Sequence, residues 1–129
     1  MNVIVIDDDP DTVEVFSEYL NFKGAKVIAR GRNGKEAVEL YKKHTPDIIF
    51  CDIMMPKYDG FYAVKKILKF DPNAKIILVT ADLSTDTEKK IANVGVSAVV
   101  FKPYDIDKVM NTAEDVLHSK SFSEPVVLP

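Results

Sequence analysis

The 129-residue chain has the length of one domain, and 47% hydrophobic with 29% charged residues describes a globular core rather than a disordered polymer. One cysteine excludes an intrachain disulfide framework, and 17 basic against 20 acidic residues give −3, the wrong sign for a generic nucleic-acid binder. No apolar run approaches the ~18 residues of a membrane span, and the first residues lack a secretory pattern, so a cytoplasmic protein without membrane insertion is expected.

The first apolar run, Val3-Ile4-Val5-Ile6, is continuous and β-branched, as expected of a strand buried on both faces of a parallel sheet. Asp9 before Pro10 reads as the N-cap and first residue of a helix, and Val13, Phe16 and Leu20 follow at helical spacing. Lys23-Gly24 marks its end. A second strand is expected over Lys26 to Ala29, then a turn or helix end at Asn33-Gly34 and a helix with Ala37, Leu40 and Tyr41 on one face. The third strand, Asp47 to Cys51, is again continuously apolar after its first residue. Asp59-Gly60 reads as a turn before a helix carrying Ala63, Val64, Ile67 and Leu68. The fourth strand spans Lys75 to Val79. Thr85-Asp86-Thr87-Glu88 has the capping-box pattern and opens the least apolar helix, Thr85 to Val94, in which only Ile91, Ala92 and Val94 are apolar. Ala98 to Phe101 is the fifth strand. Asp105 caps a last helix with a stripe of Ile106, Val109, Met110, Ala113, Val116 and Leu117. The stretch from Ser119 to Pro129, with three serines and two prolines, reads as a flexible tail, which sets a domain at 1–118 and a tail at 119–129.

Five β-α units with right-handed crossovers predict an α/β, flavodoxin-like (βα)5 doubly wound sandwich. Its parallel five-stranded sheet should run in the order 2-1-3-4-5. Ligands of such sheets sit beyond the carboxyl ends of the strands. There the sequence places Asp7, Asp8 and Asp9 after the first strand, Asp52 after the third, Thr80-Ala81-Asp82 after the fourth and Lys102-Pro103 after the fifth. Asp7, Asp8 and Asp52 form an unfavourable group of like charges unless a cation joins them, and oxygen-only donors favour Mg²⁺ or Mn²⁺. A lysine and a threonine on the same rim suit a phosphoryl group. A carboxylate beside such a metal can itself accept the phosphoryl group, and Asp52 is the natural nucleophile.

These residues resemble the receiver domain of two-component response regulators, of the single-domain chemotaxis type. The resemblance rests on Ile6-Asp7-Asp8, Asp52-Ile53-Met54-Met55-Pro56-Lys57-Tyr58-Asp59-Gly60, Thr80-Ala81 and Lys102-Pro103, and covers Asn2 to Leu117. It implies a signalling switch rather than an enzyme, with Asp52 as phosphoacceptor, Thr80 as switch hydroxyl and Lys102 as the cation that pairs with the phosphoryl group. It also implies a metal held by Asp7, Asp8, Asp52 and the backbone carbonyl of Met54, and a cis bond before Pro103. The implied partners are a histidine kinase or phosphotransfer protein and an output protein. The output protein would meet the fourth helix, fifth strand and fifth helix. The family usually has Tyr or Phe three residues before the lysine. Here the position is Val99, which cannot swing a ring between core and solvent, and Phe101 shares its strand face.

Other readings compete at single positions. Asp9 reads as a helix cap, Cys51 as a buried small hydrophobe and His44 and His118 as solvent-side residues. Asp82 either orients or repels water at the site's mouth or is a solvated carboxylate. A haloacid dehalogenase-like Mg²⁺-dependent phosphatase would use Asp7 as nucleophile, but the sequence lacks the Thr or Val that closes that motif and leaves Asp52 without a role. A flavin carrier would share the strand order, yet acidic residues after the first strand would repel a flavin phosphate. Nothing after Leu117 resembles an output domain, so a free-standing receiver is expected.

Overall fold

Chains of β-branched residues with no polar interruption can be buried only where both sheet faces are covered. Three central strands show this: β1 (Asn2–Ile6), β3 (Ile48–Asp52) and β4 (Ile76–Thr80) are buried at every position but Asn2. The computed structural model describes residues 1–118 and 126–128. Around those strands it sets β2 (Lys26–Gly31) and β5 (Ala98–Phe101), with helices α1 (Pro10–Phe22), α2 (Gly34–His44), α3 (Gly60–Phe70), α4 (Thr85–Val94) and α5 (Ile106–His118). The five strands are parallel in the order β2-β1-β3-β4-β5, as the sequence implied.

A sixth strand, β6 (Val126–Leu128), extends the sheet. It pairs in parallel with β5, Ala98 opposite Val126 and Val100 opposite Leu128. The expected tail from Ser119 therefore includes a strand. The rest of that tail, residues 119–125 and 129, lies outside the described residues.

Alternation along each strand divides the core into two layers. On one face Val3, Val5, Ile48, Phe50, Ile77, Val79, Ala98 and Val100 meet Val13, Phe16 and Leu20 of α1 and Val109, Ala113 and Val116 of α5. On the other face Ile4, Ile6, Ile49, Cys51, Ile76, Leu78 and Val99 meet α2, α3 and α4. The edge strand β2 is only partly buried.

Side-chain caps set the helix starts. Asp9, Asn33, Asp59 and Ser84 accept from backbone N–H groups of the first turns of α1, α2, α3 and α4. Asp105 does the same for α5, accepting from Asp107 N at 2.9 Å. Two details differ from the sequence reading. The α4 cap is Ser84, one residue before the expected Thr85, so Thr87 and not Glu88 occupies the third helical position. Asn33-Gly34 opens a helix instead of making a free-standing turn. Gly34 is there because a Cβ would lie 2.4 Å from the Asp59 carbonyl oxygen.

Phe50 is central to the first layer, fully buried and edge-on to Phe16 at 5.2 Å. Phe50→Ala should cost about 3–5 kcal/mol through lost burial and the cavity it leaves. Urea unfolding monitored by far-UV circular dichroism would measure it, and a loss under about 1 kcal/mol would contradict this account of the core.

Candidate functional site

Strand register brings the polar ends of the strands to one level. β1 and β3 pair through Ile6 opposite Cys51, so Asp7 and Asp52 follow side by side. β4 and β5 pair through Thr80 opposite Phe101, and Lys102 comes next. Lys102 N then donates to the Thr80 carbonyl at 2.8 Å, which ties the two ends together.

Asp7, Asp8 and Asp52 each offer a carboxylate oxygen, and these oxygens lie within 4.8 Å of one another. Asp7 and Asp52 are buried, whereas Asp8 is exposed. Lys102 Nζ is 3.1 Å from Asp7 Oδ2 and 3.9 Å from Asp52 Oδ2. The Lys102 ammonium therefore faces two of the three carboxylates, Asp7 and Asp52. Burial, followed by the charge of Asp7, pushes the Asp52 carboxyl up from 3.8 to about 6, against the opposing pull of Lys102. Among the described residues, no His or Cys belongs to this group. An all-oxygen donor set with surplus negative charge fits a hard divalent cation such as Mg²⁺.

The surroundings hold these groups in place. Asp52 Oδ1 accepts from Ile53 N at 2.9 Å, and Gly60 N donates to the Ile53 carbonyl at 2.9 Å. A Cβ on Gly60 would lie 2.4 Å from the Asp52 carbonyl oxygen, so glycine there lets α3 start directly against the strand end. Asp7 Oδ1 accepts from Asp9 N at 3.0 Å. Lys102 shares a crevice with Thr12, Phe16, Phe50 and Tyr104, and Tyr104 stacks edge-on to Phe16 at 4.9 Å. Burial pushes the Tyr104 phenol up to about 12, so it stays neutral beside the lysine.

The remaining sequence candidates fall into place around this group. Thr80 is fully buried, and its Oγ1 accepts from Asp82 N at 3.0 Å. Met54 follows β3 with its side chain exposed. The Lys102–Pro103 bond is cis. Val99 is fully buried, and Phe101 packs on the same layer. Asp9 lies outside the carboxylate group: its oxygens accept from Asp11 N and Thr12 Oγ1, which hold its carboxyl below the usual range. Cys51 points into the opposite layer, and burial raises its thiol far above the usual range. His118 is exposed beside Glu114, and His44 lies at the end of α2.

Two features escaped the sequence reading. Asp82 is not a free carboxylate, because Oδ1 accepts from Ser84 N at 2.8 Å and Oδ2 from Thr87 Oγ1 at 2.5 Å. The spacing Asp82-x-Ser84-x-x-Thr87 carried that signal. Val15, Tyr19 and Phe22 also form an exposed apolar stripe on α1, with the i, i+4, i+7 spacing that was readable in the sequence.

Residues 3–114 match the family model described as "Response regulator receiver domain". The chain is 31% identical over 116 residues to the chemotaxis protein CheY of Bacillus subtilis, covering 90% of this chain and 97% of that protein. It is 35% identical over 117 residues to CheY of Treponema pallidum, covering 89% and 81% respectively. Its fold matches a solved CheX-CheY-BeF3-Mg²⁺ complex from Borrelia burgdorferi with a TM-score of 0.85 and 32% identity, covering 92% of this chain and 90% of that one.

The raised carboxyl of Asp52 has a thermodynamic consequence. A carboxyl with a higher pKa folded than unfolded favours folding at low pH, and that contribution is lost as pH rises from about 4 through about 6. In chelator, Asp52→Asn should therefore be more stable than the parent by roughly 1–3 kcal/mol at pH 7. The difference should shrink towards pH 4. Urea titrations across this range would check it, and a parent more stable than the variant at pH 7 would refute it.

Proposed function

The chain belongs to the response regulator receiver family, and on that premise we propose that Asp52 is the phosphoacceptor of a switch driven by a partner's phosphohistidine. The observation that carries this is the setting of Asp52. It is a buried carboxylate at the end of a central strand, grouped with Asp7 and Asp8 and 3.9 Å from the Lys102 ammonium. No helix among the described residues is long and apolar enough to cross a membrane.

Asp7, Asp8, Asp52 and the Met54 carbonyl would hold Mg²⁺, with Mn²⁺ as a substitute. When bound, the ion supplies positive charge for the oxygens of the transferring phosphoryl group. The chain's own residues do the rest. Asp52, ionised near neutral pH, presents one carboxylate oxygen to phosphorus as the phosphohistidine bond breaks. Lys102 meets an equatorial oxygen, and its short reach to Asp7 keeps it on the rim until then. The rate comes mostly from positioning and charge neutralisation. The product is an acyl phosphate on Asp52, and the Thr80 hydroxyl then has a new acceptor.

Two partners follow from this cycle. The donor is a histidine kinase or phosphotransfer protein that must reach the rim. The exposed stripe Val15, Tyr19 and Phe22, on the helix that starts beside Asp7, offers it apolar surface. The output protein would meet α4, β5 and α5. β6 lies along the β5 edge, so a partner approaching that edge meets β6. A phosphatase with Asp7 as nucleophile finds no support here. Such an enzyme would leave the buried Asp52 without a role, and the second aspartate of that motif, Asp9, serves as a helix cap.

Acetyl phosphate with Mg²⁺ should add one phosphoryl group to the protein, and Asp52→Asn should abolish the gain. Intact-mass spectrometry would read both, and a phosphoryl group retained on the variant and mapped to another residue would overturn the assignment. Lys102→Ala should slow the reaction by at least about tenfold, in line with losing one charge-assisted contact to the transferring group.

A further inference from the structure

We propose that Asp82 is a positioning residue that latches the Thr80 hydroxyl to the first turn of α4, so that releasing this latch is the switching event. The inference rests on the reading of Asp52 as phosphoacceptor and adds how that site is regulated.

Four hydrogen bonds make the latch. Asp82 N donates to Thr80 Oγ1 at 3.0 Å. The Asp82 carboxylate accepts from Ser84 N at 2.8 Å and from Thr87 Oγ1 at 2.5 Å. Ser84 Oγ in turn accepts from Thr87 N at 3.2 Å and caps the helix. The Thr87 and Ser84 contacts hold the Asp82 carboxyl below the usual range, so it stays ionised and a strong acceptor at neutral pH. One residue thus contacts the Thr80 hydroxyl through its backbone and the helix through its side chain.

Two further observations make this route the effective one. In α4, Thr87 and Ile91 are the buried residues and Val94 packs partly on the core, so the Asp82–Thr87 contact anchors the first turn of a lightly held helix. Val99 is fully buried and carries no ring that could move between core and solvent. A displacement of the Thr80 hydroxyl is therefore passed on by the segment that directly follows it. When a phosphoryl group on Asp52 draws that hydroxyl across the rim, Asp82 N loses its acceptor. The loop 81–84 then shifts, and the Asp82 carboxylate lets go of Thr87. By linkage, weakening the latch should tighten binding of a phosphoryl group or its mimic, by at most the factor by which the latch is weakened.

The test pairs Thr87→Val, which keeps the shape and removes the donor, with Thr87→Ser, which keeps the donor. Full-length proteins would be compared by amide hydrogen exchange over residues 81–88 without phosphoryl mimic, and by calorimetric titration with beryllofluoride in Mg²⁺. Thr87→Val should exchange at least about fivefold faster over this segment and bind beryllofluoride roughly three- to tenfold more tightly. Thr87→Ser should stay within about twofold of the parent in both measurements. Parent-like behaviour of Thr87→Val, or equal shifts in the Val and Ser variants, would overturn the latch while leaving Asp52 as acceptor. Failure of the parent itself to bind beryllofluoride would instead overturn the phosphoacceptor reading, and the coupling with it.

Discussion

Three carboxylates converge on the rim where Lys102 lies, and much of the molecule exists to keep them there. In general, two unit charges about 4 Å apart interact by about 4 kcal/mol at an effective dielectric near 20. Local structure alone could not hold such a group together. The opposing force is the burial of β1, β3 and β4, whose register leaves Asp7 and Asp52 side by side once their apolar residues are paired. Gly60 and Gly34 allow the loop after β3 to close tightly on the starts of α3 and α2. Burial first and the neighbouring Asp7 charge second raise the Asp52 pKa, and a bound cation would relieve the crowding.

That crowding sits at the rim beyond the strand ends, and the helices around it are anchored unequally. α1 and α5 pack on the central strands through Phe16, Leu20, Val109 and Val116, all deeply buried. α4 offers far less: Thr87 and Ile91 are its buried residues, and its first turn is held through polar contacts to Asp82. Polar contacts at a partly exposed site exchange for water at little net cost, whereas displaced apolar side chains do not. The division of labour follows. The layer beneath α1 and α5 stores stability, and the β4–α4 connection is free to respond to the state of Asp52.

How much of this was legible in the sequence depended on the type of signal. The strands at Val3–Ile6, Asp47–Cys51 and Lys75–Val79 were readable because burial on both faces leaves an unbroken apolar run. The site was readable because each run ends abruptly in a residue with chemistry: Asp7, Asp52, Thr80, Lys102. Signals that depend on a distant partner were not. Asn33-Gly34 looks like a turn, and its role as a tight approach to the Asp59 carbonyl exists only once α2 and the β3–α3 loop are side by side. Ser84 and Thr85 are both competent caps. The choice of Ser84 accompanies the bonds that Ser84 N and Thr87 Oγ1 donate to Asp82, a pattern visible only in the spacing of Asp82, Ser84 and Thr87. Val126–Leu128 is too short and too close to prolines to read as a strand. The free edge of β5 makes it one.

The position of β6 also bears on where motion can occur. β5 has hydrogen-bonded neighbours on both sides, β4 and β6, and its Ala98, Val99 and Val100 are buried. A strand paired on both edges and packed on both faces has no inexpensive displacement. Val99 removes the remaining option, a large side chain that changes place while the backbone stays still. Phe101, at the end of β5 and partly exposed, lies beyond the paired β6 residues and faces the same layer as Val99. The rigidity of β5 and the light anchoring of α4 are thus complementary. With the fifth strand fixed, Thr80 and the four residues that separate it from the first turn of α4 are the least anchored link between the site and the surface near α4.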